Sequence, residues 1–330
     1  LAPDYAEAHS NLGLVLHNTG DNDGAEQCLR RALAITPDAA DTLNNLGNVL
    51  DARGERAAAA DAYARAIELA PDFTEALYNL GTLHRRAGRI ADAVVTLERA
   101  LGLAPDSPDI LNGLGLALIA YEEPLRAIDC LEQAARLVPS SPDILSNLGN
   151  ALRAADRPEQ AADAYERALA IDPDYVNAHH NLGRMAIQIG DFDAAAVALN
   201  RALELQPNHA DAFFELATNL SGVCRIETEA AMRARFDDKA LPTAERSTIG
   251  FGLSALARQA GDFDRAFADL AAANRLRRET LSYDADADAR DIEARAACIR
   301  TPRPELNLPP PPGGDPRPIF IVGMPRSGTT

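Results

Sequence analysis

Lysine is all but missing from this 330-residue chain: Lys239 stands alone, and the other cations are arginines. Acidic residues outnumber basic ones by 49 to 32, a formal net charge of -17. So acidic a surface repels phosphate backbones and anionic headgroups, so neither nucleic acid nor a membrane is expected among the partners. Tryptophan is absent and aromatics make up 5% of the chain. No apolar run is long enough for a transmembrane helix, and no signal peptide is visible. The chain begins at Leu1 rather than Met, which leaves open a targeting segment ahead of it.

Cysteine is equally sparse. Cys28, Cys130, Cys224 and Cys298 form no C-x-x-C pair, so neither a zinc site nor a redox motif is indicated. They are expected as buried or half-buried thiols of a reducing, cytoplasmic compartment. No Ser-His-Asp or paired-carboxylate signature stands out. His179 and His180 are adjacent and diverge by about 100° on a helix, so they chelate one ion poorly. His209 lies far along the chain, and no metal is expected. The acidic run "DADADARD" from Asp284 lacks the glycine and glutamate spacing of a calcium loop and reads as a solvated segment.

What the chain has in abundance is alanine and a repeat. Leu-Gly recurs at Leu12-Gly13, Leu46-Gly47, Leu80-Gly81, Leu114-Gly115, Leu148-Gly149 and Leu182-Gly183, each 34 residues after the last. A period of this length means stacked units. A small residue keeps the step at Ala25, Ala59, Ala93, Ala127, Ala161 and Ala195. A bulky one keeps it at Leu29, Tyr63, Leu97, Leu131, Tyr165 and Leu199, and a second alanine at Ala32, Ala66, Ala100, Ala134, Ala168 and Ala202. Proline closes each unit at Pro37, Pro71, Pro105, Pro139, Pro173 and Pro207. Gly20, Gly54, Gly88 and Gly190 fall where a left-handed residue ends a first helix. Glu122 and Asp156 stand in that place in two units, where a looser or differently shaped turn is expected.

These columns resemble the tetratricopeptide repeat. The resemblance implies an all-α superhelical solenoid of antiparallel helix pairs. Small residues let the helices approach, and bulky residues fill the gap between them. Residues 1–207 hold Leu1-Ala2-Pro3 as the tail of an earlier unit and then six full units, so the natural protein is expected to extend N-terminally. Residues 208–300 read as degenerate repeats and capping helices. Ala210 to Leu220 forms one more first helix, helical character persists around 227–236, and a last unit carries Gly261, Ala266, Leu270 and Ala273. A cap is expected around 288–299.

By the same resemblance the first helix of each pair lines a concave groove. Asn11, Asn45, Asn79, Asn147 and Asn181 precede Leu-Gly, interrupted only by Gly113. Ser10, Asn44, Tyr78, Asn112, Ser146 and His180 come one residue earlier. An asparagine amide both donates to and accepts from peptide backbone, so these columns suit a protein or peptide segment. They resemble the asparagine ladder of O-linked N-acetylglucosamine transferase repeats. The alternative is that the asparagines hydrogen-bond to neighbouring helices. The lysine-based carboxylate clamp of chaperone-binding repeats is not supported, since the groove has no lysine.

Residues 301–318, "TPRPELNLPPPPGGDPRP", form a Pro-rich linker. Residues 319–330, "IFIVGMPRSGTT", read as a buried strand and a phosphate loop. The spacing Gly323 to Gly328 is that of a P-loop, but Thr329 stands where a nucleotide triphosphatase has lysine. The stretch resembles the 5′-phosphosulfate loop of sulfotransferases that use 3′-phosphoadenosine-5′-phosphosulfate (PAPS). That implies the start of an α/β sulfotransferase domain. Arg326 would stabilise charge on the sulfuryl group, and Ser327, Gly328, Thr329 and Thr330 would donate to the 5′-phosphate. A kinase-like P-loop enzyme and a chance strand-plus-turn are the alternatives. In that family the general base, 3′-phosphate site and acceptor pocket lie further on, so no catalytic residue is expected within these 330 residues, nor firm PAPS binding. The function so implied is the protein-recruiting arm of a sulfotransferase, with a non-enzymatic repeat adaptor as the alternative.

Overall fold

The computed structural model describes residues 5–220 and 226–280. The predicted strand, linker, phosphate loop and the 288–299 cap lie outside the described residues, as do Cys224 and Cys298. The chain divides into two units, Leu1–Thr280 and Leu281–Thr330, and the helices α1 to α16 fall within the first.

Six antiparallel pairs come first. They are α1 (Ala6–Asn18) with α2 (Asn22–Ile35), α3 (Ala40–Ala52) with α4 (Arg56–Leu69), and α5 (Thr74–Arg86) with α6 (Ile90–Leu103). Then follow α7 (Pro108–Ala120) with α8 (Pro124–Leu137), α9 (Pro142–Ala154) with α10 (Pro158–Ile171), and α11 (Val176–Ile189) with α12 (Phe192–Leu205). Some of the starts are capped by a side chain. The Asp21 carboxylate accepts from Gly24 N at 2.9 Å and Asp191 from Ala194 N at 3.0 Å. Pro108, Pro124, Pro142 and Pro158 occupy first-turn positions, where no amide hydrogen is needed. The periodic prolines sit one residue beyond the C-caps Thr36, Ala70, Ala104, Val138, Asp172 and Gln206, where no helix can continue.

The repeat columns are the core. Every member of both alanine columns and of the bulky column is at most 2% exposed. The bulky side chain lies on the glycine of its own unit: a Cβ added at Gly47 would stand 2.5 Å from the Tyr63 ring, and one at Gly115 2.6 Å from Leu131. Only a missing side chain admits so close a helix pair. The two tyrosines carry a polar end that the leucines lack. Tyr63 Oη donates to Asn48 Oδ1 at 2.7 Å, and Tyr165 Oη to Asn150 Oδ1 at 2.9 Å.

The turns without glycine keep the shape of the others. Glu122 has φ 63° and Asp156 φ 58°, left-handed like Gly54 at 81°. Glu122 N bonds to Ile119 O and Glu123 N to Leu118 O, the pattern of Gly54 N to Asp51 O and Glu55 N to Leu50 O. The expectation of a differently shaped turn is therefore corrected. The closing hydrogen bonds and the packing on both sides hold an L-residue where glycine would sit without strain.

The backbones of successive odd-numbered helices pack together, from α1 on α3 through to α11 on α13 (Ala210–Asn219). The even-numbered ones show no comparable backbone packing among the described residues and meet through side-chain ion pairs such as Arg126 to Glu98. The odd row is thus the shorter, inner arc of the stack. Beyond α13 the alternation breaks. α15 (Thr243–Gln259) packs directly on α13 and pairs with α16 (Phe263–Thr280). On α14 (Ile226–Asp237), Arg233 makes two 2.7 Å bonds to the buried Asp269 carboxylate of α16.

Candidate functional site

Each inner helix turns one face to the concave side, and residues three, four and seven apart share it. A cavity of about 410 Å³ shows which face that is. It is lined by Leu116, Ile119 and Ala120 of α7, by Ser146, Asn147, Asn150 and Arg153 of α9, and by Asn177, His180, Asn181 and Arg184 of α11. A second cavity, of about 690 Å³, lies between α1 and α3 and includes Ser10, Asn11 and Asn45.

The asparagine columns do form a ladder, but one braced between helices. Asn79 Nδ2 donates to Asn44 Oδ1 at 3.0 Å and to Asn48 Oδ1 at 3.1 Å. Asn147 Nδ2 donates to Asn112 Oδ1 at 2.9 Å, and Asn181 Nδ2 to Ser146 Oγ at 3.4 Å. Asn44 Nδ2 in turn donates to Glu75 at 2.9 Å. The N–H side of these amides therefore joins one repeat to the next, and the carbonyl Oδ1 of Asn79, Asn147 and Asn181 accepts nothing among the described residues. Asn11 is exposed and Asn45 half-buried, with no side-chain partner there. Gly113 interrupts the ladder because Tyr78 leans across from α5: a Cβ at Gly113 would stand 3.2 Å from the Tyr78 ring.

His209 is not remote from His180, as their separation along the chain suggested. Their ring centroids are 4.6 Å apart. His209 Nδ1 accepts the backbone N–H of Ala212, capping α13. Burial above all, then His209, Arg184 and Arg153, pushes the His180 pKa down to about 3, so it is neutral near pH 7. No cluster of three His, Cys, Asp or Glu side chains able to hold a metal occurs among the described residues. Burial pushes the half-buried Cys130 thiol up, as in an unreactive packing cysteine.

Sequence reasoning missed the next turns of the same face. Four residues beyond the Asn44 column lie Asn48, Thr82, Leu116, Asn150 and Arg184, and seven beyond lie Asp51, Arg85, Ile119 and Arg153. The helical period pointed to them, since it places them under the columns already chosen. Several carry unmatched polar atoms. Asp51 Oδ1, Thr82 Oγ1, Arg85 Nε, Arg153 Nε and His180 Nε2 are buried without a hydrogen-bond partner among the described residues. With His9 Nε2 and His84 Nδ1, every such atom there belongs to an inner helix. Arg326, Ser327, Gly328, Thr329 and Thr330 lie outside the described residues.

Models of the tetratricopeptide repeat match residues 4–72, 44–108 and 140–208. An uncharacterized protein of Aquifex aeolicus (strain VF5) is 37% identical over 91 residues; the match takes in 28% of this chain and only 12% of that relative. A solved structure of Pseudomonas aeruginosa pilF superposes with a TM-score of 0.53 at 24% identity, over 61% of this chain and 92% of that one. The Cut9–Hcn1 hetero-tetramer of the APC/C gives 0.56 at 22% identity, over 64% of this chain and 42% of that one. At such identities the two structures attest the fold alone. No helix among the described residues is long and apolar enough to cross a membrane. With the matched residues exceeding half of the chain, and the helix pairs and left-handed turns recurring through the six units, the chain belongs to the tetratricopeptide-repeat family.

Proposed function

We propose that the inner face of α1 to α11 holds an extended peptide segment of a protein partner. The observation that carries this reading is that five of the unmatched buried polar atoms, on Asp51, Thr82, Arg85, Arg153 and His180, lie in the groove columns of the inner helices. Leaving a buried polar group unpaired costs about 1–3 kcal/mol, so a ligand that pairs with it regains that free energy on binding. Asn147 and Asn181 line the 410 Å³ cavity, and their free carbonyls suit backbone N–H donors. An unbiased display library of twelve-residue peptides, selected on the full 330-residue chain, tests the reading. Selected peptides should lose affinity roughly tenfold on Asn147→Ala with Asn181→Ala. A selection that enriches nothing, or peptides indifferent to both substitutions, would sink it.

We further propose that this groove recruits the acceptor of a PAPS-dependent sulfotransferase whose donor loop starts at residues 319–330, in the cytoplasm. What supports this is the motif itself: an apolar run, then Gly323 and Gly328 at phosphate-loop spacing, with Thr329 in place of lysine. PAPS would supply the sulfuryl group; Arg326 would balance its charge, and Ser327 to Thr330 would hold the 5′-phosphate. The test is sulfuryl transfer from radiolabelled PAPS by the protein that carries this segment. Arg326→Ala should lower transfer by about a hundredfold or more. Unchanged transfer, or none from the parent protein, would leave the repeats as an adaptor.

A further inference from the structure

The groove is not uniform along its length, and its middle has a chemistry of its own. α7 reads "PDILNGLGLALIA"; beyond Asn112, which is taken up by Asn147, its groove-facing positions Gly113, Leu116, Ile119 and Ala120 are apolar, and the last three line the cavity. At the first three of these columns the flanking inner helices carry polar or charged side chains: Asn79, Thr82 and Arg85 on α5, and Asn147, Asn150 and Arg153 on α9. Arg85 on α5 and Arg153 on α9 stand 34 residues before and after Ile119, in the same column. Both have a buried, unmatched Nε, and neither meets a carboxylate among the described residues. That is unusual in a chain with 49 acidic residues and a net charge of -17. Arg184, one turn over on α11, is only loosely engaged, with Nε 3.4 Å from Glu215. The 410 Å³ cavity thus has an aliphatic side on α7 and, on α9 and α11, the guanidinium groups of Arg153 and Arg184 set among asparagines, a serine and a histidine.

We propose that this cavity selects a peptide segment in which an aliphatic or aromatic side chain stands beside a carboxylate. The inference rests on the peptide-binding reading above and adds the sequence preference. The apolar side chain covers Leu116 and Ile119, where its burial displaces water from both surfaces. The carboxylate accepts from Arg153 and Arg184, whose planar N–H groups match its two oxygens. Charge complementarity fixes the sign: an anion meets two partly desolvated cations here, whereas a lysine would be repelled. The carboxylate comes either from an Asp or Glu side chain or from a chain terminus.

The test uses synthetic ten-residue probes in a Gly-Ser background, read by fluorescence anisotropy with the full chain. Acetylated, amidated probes carry Leu-Glu, Leu-Gln, Leu-Lys or Ser-Glu at the centre, and a fifth ends in Leu with a free carboxylate. The Leu-Glu probe or the free-terminus probe should bind about tenfold more tightly than Leu-Gln, and Leu-Lys should bind least. Whichever of the two wins names the source of the carboxylate. Arg153→Gln with Arg184→Gln should remove the preference for Glu over Gln yet keep that for Leu over Ser. Ile119→Thr should do the reverse. Leu-Gln or Leu-Lys binding as tightly as the better of the Leu-Glu and free-terminus probes overturns the preference while the groove reading stands. So do library peptides that bind but lack an apolar–acidic pair. Failure of every probe together with an empty library selection overturns both.

Discussion

The groove before α7 and the groove after it are built on one scaffold and lined differently. Both halves repeat the same alanines, the same bulky residue and the same glycine beneath it, all buried. Before α7 the inner face carries Asn44, Asn48, Asp51 and Asn79, joined by hydrogen bonds among the three asparagines' amides. After it come Asn150, Arg153, His180 and Arg184 around a cavity. Columns that face the partner helix do not vary because a misfit there opens a void or a clash. Columns that face the groove are free to vary, and that is where one unit of the stack is told from another.

That contrast is sharpest in stability. Leu97→Ala before α7 and Leu131→Ala after it should each cost about 2–5 kcal/mol, since each empties a fully buried site. Arg153→Gln on the groove should stay within about 0.5 kcal/mol. Urea unfolding followed by circular dichroism measures all three. A groove substitution as damaging as a core one would erase the division between scaffold and lining.

The two halves should also part in their response to acid. His180, in the second half, titrates near 3 when folded against 6.5 as its ordinary value. The unfolded chain then binds the proton first, so stability present above pH 6.5 falls as the pH drops toward 3. At pH 5 the loss is on the order of 2 kcal/mol. His84 and His209 are also pushed down, chiefly by burial, and add a slope of the same sign. His180→Gln should flatten the dependence of the urea midpoint between pH 7 and pH 5. Equal slopes in variant and parent would show that the ring is solvated.

Much of this was legible in the sequence, and the reason is mechanical. The 34-residue step, the alanine and bulky columns and the closing prolines each report a contact that must recur in every unit. The left-handed turns were legible wherever glycine marks them. At Glu122 and Asp156 they were not, because the closing hydrogen bonds of the turn run between backbone groups and leave no trace in residue type. The groove was half legible. The asparagine columns stood out by identity, whereas Arg85, Ile119 and Arg153 share a position but no chemistry. That the asparagine amides brace neighbouring helices stood in the sequence only as the alternative to peptide binding, since the bonds span 31 to 35 residues and residue type does not show which partner is met.

The tyrosine units offer a smaller contrast between the halves. Asn48 Oδ1 accepts from both Tyr63 and Asn79, whereas Asn150 Oδ1 accepts only from Tyr165 among the described residues. Tyr165→Phe should therefore cost about 1 kcal/mol, and Tyr63→Phe roughly half of that. Thermal unfolding of the two variants side by side decides it. The opposite order would mean that Asn79 does not share Asn48.

The smallest effect is expected at the turns, and it should be a gain. Glu122 at φ 63° and Asp156 at φ 58° occupy a region that costs an L-residue about 1 kcal/mol or more, which glycine escapes. Glycine in turn loses more freedom on folding, so only part of that strain is recovered. Glu122→Gly should stabilise by a few tenths of a kcal/mol. Asp156→Gly should gain less, because aspartate tolerates the left-handed region better than glutamate does. Both substitutions should leave peptide binding untouched, since the turns lie at the ends of the helix pairs rather than on the inner face. A loss of stability in both would mean that the Glu122 and Asp156 side chains hold their turns through contacts of their own.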